Sequence, residues 1–302
     1  MLFVVPDFYE DFHCLAGKCA HSCCVGWEID IDEDSFAYYS GVEGELGREL
    51  REKISAEPTP HFILDENERC PFLNERGLCR LILGLGEVSL CDICREHPRF
   101  YNEFSDRTEA GLGLCCEEAA RLLLEGDGPL RLLCCDNGGG EKPEAGEKAL
   151  FSLREKIFAL LHDSSRSLYS CMASCAELCG LSMPKLDMPD WAGFYLGLER
   201  LDPAWTDALR LLEDRGGEVT LPERLDGIKF RRMAAYLVYR HFASAGDAEH
   251  AAEMLSFAIL STAMVCALEA LGMDCGEALR LYSAEIEYSD ENIGLILNKI
   301  RE

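Results

Sequence analysis

Cysteine is the residue type around which chemistry in this chain has to be built. The stretch CLAGKCAHSCCVGW (14–27) places Cys14, Cys19, Cys23 and Cys24 within eleven positions. Further along stand Cys70 and Cys79 in RCPFLNERGLC, Cys91 and Cys94 in LCDICREHPRF, and the pair Cys115 and Cys116. Two thiols three positions apart reach one metal from a tight turn. Either Cys70 and Cys79, or two thiols from the group Cys19, Cys23 and Cys24, then complete four ligands. Ligation by thiolates alone selects zinc or an iron–sulfur cluster, and the spacing does not separate the two. The alternative is disulfides. The total of 17 cysteines is odd, so complete pairing within the chain is impossible.

Composition favours the metal. The amino terminus, MLFVVPDFYEDF, has no basic residue before its short apolar run and meets acids at once. That is unlike a secretory signal, and the expected setting is the cytoplasm, where thiols stay reduced. Charged residues make up 28% of the 302 positions. No apolar run is expected to reach the roughly 18–20 residues of a transmembrane helix; 257–273 reads as a buried helix. No membrane partner is expected. The net charge of −26, from 55 acidic and 29 basic residues, repels phosphate backbones. With only an isolated RR at 231–232, a nucleic-acid partner is excluded. An acidic surface suits cationic groups or small ligands.

The elements that must position the thiols read as two regions, in a mainly α fold. An irregular, cysteine-rich metal-binding domain spans 1–135. A Gly/Pro/charged linker, DNGGGEKPEAGEK, covers 136–148, and a helical domain fills 149–302. Within the first region 43–54 suggests a short helix, and EEAARLLLEG (117–126) has acids in its first turn and Gly126 at its end. Beyond the linker, apolar residues recur at three- and four-residue spacing, and most segments start after Asp, Ser or Pro and stop at Gly. Strand signals are few. Cys171, Cys175 and Cys179 recur every four residues on one helix face and read as packing, as do Cys266 and Cys275. Cys134 and Cys135 lean the same way.

The runs FHCLAGKCAHSCCVGWEIDID (12–32), CPFLNERGLCRLILGLGEVSLCDICREHPRF (70–100) and LCCEEAARLLL (114–124) together resemble the flagellin lysine-N-methylase family (FliB). The first also resembles CxxxCC zinc- or iron-chelating domains. YSAEIEYSDENIGLIL (282–297) resembles that family's closing segment. The resemblance implies an enzyme that methylates lysine side chains of flagellin, or of another lysine-bearing protein, with S-adenosylmethionine and a 4Fe–4S cluster. It also implies the thiol set, since Cys14, Cys19, Cys23, Cys24, Cys70, Cys79, Cys91, Cys94 and Cys116 match family cysteines. Cys115, Glu117 and His97 depart from it, standing where a small polar residue, a proline and a tyrosine are common.

Lysine methylation needs a neutral amine aligned with the methyl–sulfonium bond and shielded from water. A carboxylate could orient that amine. Glu28, Asp30, Asp32 and Glu118 lie near cysteines, and Asp30 and Asp32 share one face of an extended segment. Each also fits a solvated strand edge or a helix start, so the catalytic group stays unknown. Trp27 and Arg99 flank the thiols as candidate cofactor-pocket residues, against packing for Trp27 and a surface ion pair for Arg99. ILGLGEVS (82–89) has Gly84 and Gly86 but no third glycine, so it is a poor dinucleotide loop. The second reading is a non-enzymatic zinc- or iron-chelating module whose helical half binds a protein partner.

Overall fold

A computed structural model describes residues 1–136, 138 and 142–302. The centre of the expected linker, 137 and 139–141, lies outside the described residues. The fold is mainly α. Strands are β1 Leu2–Pro6, β2 Ile54–Ser55, β3 His61–Phe62, β4 Arg99–Glu103, β5 Arg107–Leu112 and β6 Leu132–Asp136. Helices are α1 Glu33–Gly41, α2 Gly44–Lys53, α3 Arg80–Leu85, α4 Asp92–Glu96, α5 Glu117–Glu125, α6 Ala145–Leu161 and α7 Leu168–Leu178. They continue as α8 Met188–Tyr195, α9 Pro203–Arg215, α10 Leu221–Arg224, α11 Ile228–His241, α12 Ala248–Ala270, α13 Cys275–Tyr282 and α14 Asp290–Arg301. The chain divides into two compact units, one of Met1–Phe12 with Tyr101–Glu302 and one of His13–Phe100. The divisions thus fall at 12/13 and 100/101 rather than near 135.

Strand pairing explains the larger unit's membership. Its sheet runs β4-β5-β1-β6. β1 pairs parallel with β5 (Val4 opposite Glu109) and antiparallel with β6 (Val4 opposite Cys134). The chain from 101 to 136 is thereby stitched to the helices. Helix α11 supplies two hydroxyls to this sheet. Tyr239 Oη reaches the Val4 and Ala110 carbonyls at 2.9 and 3.0 Å. Tyr236 Oη donates to the Leu112 carbonyl and accepts from its amide, both at 2.6 Å. These bonds tie the two inner strands of the sheet to the helix.

The RR pair of α11 is not a surface patch. Arg232 Nε donates to the Leu123 carbonyl (2.7 Å) and its Nη2 pairs with Asp7 (2.9 Å). Arg231 Nη1 donates to the carbonyls of Leu161 and Asp163. Helix α12 corrects a second expectation. It has 23 residues and is long and apolar enough to cross a membrane, yet 94% of its most apolar window is buried inside the fold. Cys171, Cys175, Cys266 and Cys275 are buried, as the packing reading expects, whereas Cys134 and Cys135 are exposed on β6. All 17 cysteines are free thiols.

The smaller unit packs Ile29, Ile31, Tyr39, Leu50, Phe62, Phe72, Leu81 and Leu90 into its own core. Ile29 and Ile31 alternate inward, so Asp30 and Asp32 turn away from the core. That core holds the cysteines discussed next.

Candidate metal centre

Three stretches of the smaller unit build the centre, each for a local reason. The first contributes Cys24, whose carbonyl accepts from the Cys70 amide at 2.8 Å. Val25 and Arg69 add an antiparallel bridge beside it. The second, 70–79, is a turn held by Asn74. Its side-chain oxygen accepts from the amides of Arg76 (2.9 Å) and Leu78 (3.0 Å), and Gly77 takes the positive φ of 69° that the turn demands. A bridge between Leu73 and Cys79 closes it. The third carries Cys91 and Cys94 at the start of α4, three residues apart and so on one face.

Asp32 ties the third stretch down. One oxygen caps α1 by accepting from the Ser35 amide (2.9 Å), and the other accepts from the Asp92 amide at the start of α4 (2.9 Å). Burial pushes its pKa up, but these amide bonds outweigh it and hold the carboxyl below its ordinary 3.8. Tyr39 Oη donates to the buried Ser89 carbonyl at 2.7 Å, two residues before Cys91.

The outcome is five thiols on one core. Cys70 and Cys91 are buried in it, and Cys24, Cys79 and Cys94 pack against it. Their pKa values show that they sense one another. Burial, then the proximity of Cys24, Cys79 and Cys91, pushes Cys70 up to about 12. Burial also raises Cys79. Cys94 is raised, first by the hydrogen bond it shares with Cys91, and Cys91 is lowered by the same bond. Cys24 is lowered to about 7, chiefly by a hydrogen bond with Cys23, with Ser22 and Arg69 adding to it. Crowded thiols resist carrying several negative charges together, and a cation replacing their protons turns that repulsion into attraction.

This donor set suits zinc or an iron–sulfur cluster in type and number. Among the described residues, no three or more His, Cys, Asp or Glu side chains already stand in ligand geometry.

Of the remaining sequence candidates, Cys23 reaches the cluster through its hydrogen bond with Cys24, and the others lie outside that core. Cys14 and Cys23 are exposed, and Cys19 Sγ donates to the His21 carbonyl at 3.1 Å. Cys116 belongs to the other compact unit, immediately before α5, beside Cys115, which burial pushes up to about 11. Trp27 Nε1 donates to the Cys23 carbonyl (2.7 Å), and its ring lies 5.9 Å from that of His97, so it braces the first thiol stretch. Arg99 opens β4. Glu28 lies 3.5 Å from His61, and Glu118 pairs with Arg121 at 2.7 Å on α5.

Two constellations were not anticipated from the sequence. One is a pocket of about 360 Å³ beside the start of α1 and the residues leading into α4. Of its lining, the sequence singled out Asp32 alone, as a carboxylate near the cysteines. The other lies in the larger unit, where Glu287 ends a π-helical turn, Ser283–Glu287. It is buried 3.2 Å from Arg240 and 2.9 Å from His241 Nε2. Burial raises Glu287, but Arg240 and His241 prevail and hold it at about 2. The closing run YSAEIEY was noticed in sequence, but its partners come from α11.

Comparison with known proteins adds distant similarity. The chain is 25% identical over 175 residues to the "Flagellar biosynthetic protein FliU" of Salmonella muenchen, covering 56% of this chain and 95% of that protein. It is 26% identical over 133 residues to the "Lysine-N-methylase" of Salmonella choleraesuis, covering 39% of this chain, and likewise to that of Salmonella typhimurium. The chain spans about 31% of the length of each lysine-N-methylase. No family model and no solved structure matches it.

Proposed function

We propose that this chain takes part in methylating the side-chain amine of lysines in flagellin or another flagellar protein. In this reading S-adenosylmethionine is the methyl donor, and a 4Fe–4S cluster, or alternatively zinc, is held by thiols of the His13–Phe100 unit. The observation that carries the reading is the similarity to two proteins named lysine-N-methylase. The flagellar setting rests on the similarity to FliU. The thiol cluster supports the metal.

Four of Cys24, Cys70, Cys79, Cys91 and Cys94 would hold the metal, which supplies redox or Lewis-acid chemistry as a cluster and cross-linking as zinc. The chain's own contribution is positional. The Asn74 turn, the Asp32 caps and the Tyr39 hydroxyl fix the thiol-bearing backbones, and the apolar core shields the sulfurs from water. The net charge of −26 draws a cationic substrate toward the protein. The acceptor amine has to shed its proton before it can attack a methyl group, and no residue is assigned that task. The reduced thiols fit a cytoplasmic setting.

The test is iron, acid-labile sulfide and zinc per chain on protein purified without oxygen, followed by transfer of labelled methyl to flagellin. About four iron and four sulfide per chain, with label on lysine, is the expected result. A cluster-loaded protein that labels no lysine would remove the enzymatic reading. One observation favours a second one: the chain matches nearly all of FliU but under a third of either lysine-N-methylase. It could then serve as a metal-chelating interaction module. Zinc without sulfide, and no transfer, is what that reading expects.

A further inference from the structure

The pocket of about 360 Å³ in the smaller unit has a divided lining. One wall is apolar: Val88 is 91% exposed, Tyr38 is 49% exposed, and Leu90 lies deeper. Carboxylates of Asp32, Asp34 and Asp92 contribute the charge. The single cation in the lining, Arg95, is already engaged by the Asp92 carboxylate, by Glu96 and by the Leu90 carbonyl. Asp34 is exposed in the first turn of α1, and among the described residues its carboxylate has no hydrogen-bond or ion-pair partner. The lining therefore carries an uncompensated negative charge next to an exposed aromatic ring. The same backbone leads straight into Cys91 and Cys94.

We infer that this pocket is a recognition subsite for the charged lysine side chain of a protein substrate. The aliphatic stem lies along Tyr38 and Val88, and the ammonium head meets the Asp34 and Asp32 carboxylates. The inference rests on the lysine-bearing substrate of the reading above and adds where that substrate is gripped. A long side chain with a charged tip fits a wall that is apolar along its length and acidic at its end. A phosphate or a carboxylate is repelled by the same lining. The carboxylates hold the head in its ammonium form, which has no lone pair. The subsite thus anchors a lysine rather than presenting it for methyl transfer, and it selects substrates in which a basic residue neighbours the acceptor.

The test uses the full chain and a dye-labelled heptapeptide carrying two lysines, followed by fluorescence anisotropy at low and high salt. The Asp34→Asn/Tyr38→Ala variant is expected to bind about fivefold more weakly than the unaltered chain. Asp34→Asn alone, a surface change with no partner to lose, is expected to give part of that loss. Glu66→Gln removes the same charge from an exposed site in the same unit and is expected to bind unchanged. The peptide with both lysines acetylated is expected not to compete. Unchanged binding by the double variant, or full competition by the acetylated peptide, overturns the inference. Methyl transfer is measured separately. Variant-sensitive binding without any transfer by the unaltered chain leaves the subsite standing and removes the methylase reading. Transfer with an unchanged KM in the double variant removes the subsite and leaves the methylase.

Discussion

Single side chains hold the thiol unit at points that its cysteine spacing does not advertise. Asp32 is the clearest, because one carboxylate caps two helix starts. Asp32→Ala is expected to cost about 1–2 kcal/mol in urea unfolding, the usual range for a lost cap. Because the folded pKa of Asp32 lies below its ordinary 3.8, its contribution is complete above about pH 4 and fades as pH falls through that lower folded value. Stability measured from pH 6 down to pH 2 should therefore lose less in Asp32→Ala than in the unaltered chain. The role of Asp32 was half legible: its alternation with Ile29 and Ile31 put it on the outer face, but its second partner lies sixty residues away. The thiols divide in the same way. Cys24, Cys70, Cys79, Cys91 and Cys94 meet at one core. Cys116 lies in the other compact unit, a membership that sequence order does not announce.

Elements built from local signals were readable, and elements built from distant pairing were not. Asp187, Asp202, Asp247 and Asp274 each cap a helix by accepting from an amide within its first turn, as a start after Asp implies. The parallel pairing of β1 with β5 joins residues about a hundred positions apart, and neither strand announces its register. The Asn74 turn is an element whose failure has a chemical readout. Asn74→Ala is expected to cost about 1–2 kcal/mol by leaving two turn amides without their acceptor. Metal per chain should fall with it if Cys70 and Cys79 are ligands. Between β5 and α6, Glu109 and Arg154 form a buried pair with N–O distances of 2.5 and 2.6 Å. Glu109→Gln is expected to destabilise by about 3 kcal/mol, since it strands a buried guanidinium. Glu109→Leu/Arg154→Met should recover most of that loss, which a double-mutant cycle in urea measures.

For the molecule as a whole, the two compact units differ in what sustains them. The larger has long buried helices and a network of arginines capped by carbonyls, whereas the smaller has short helices around a core shared with thiols. If those thiols hold a metal, stripping it should act locally. Hydrogen exchange after treatment with a chelator is expected to speed up between Cys24 and Cys94 while the amides of α12 stay protected. Uniform acceleration along the chain would argue against a unit that depends on its own metal. The division at 12/13 and 100/101 also sets an order of events during synthesis. The first strand leaves the ribosome early but has nothing to pair with until β5 and β6 follow, so it must wait. The thiol unit is an excursion whose own contacts are all available once Phe100 has emerged. It can close while the helices that will flank the waiting strand are still untranslated.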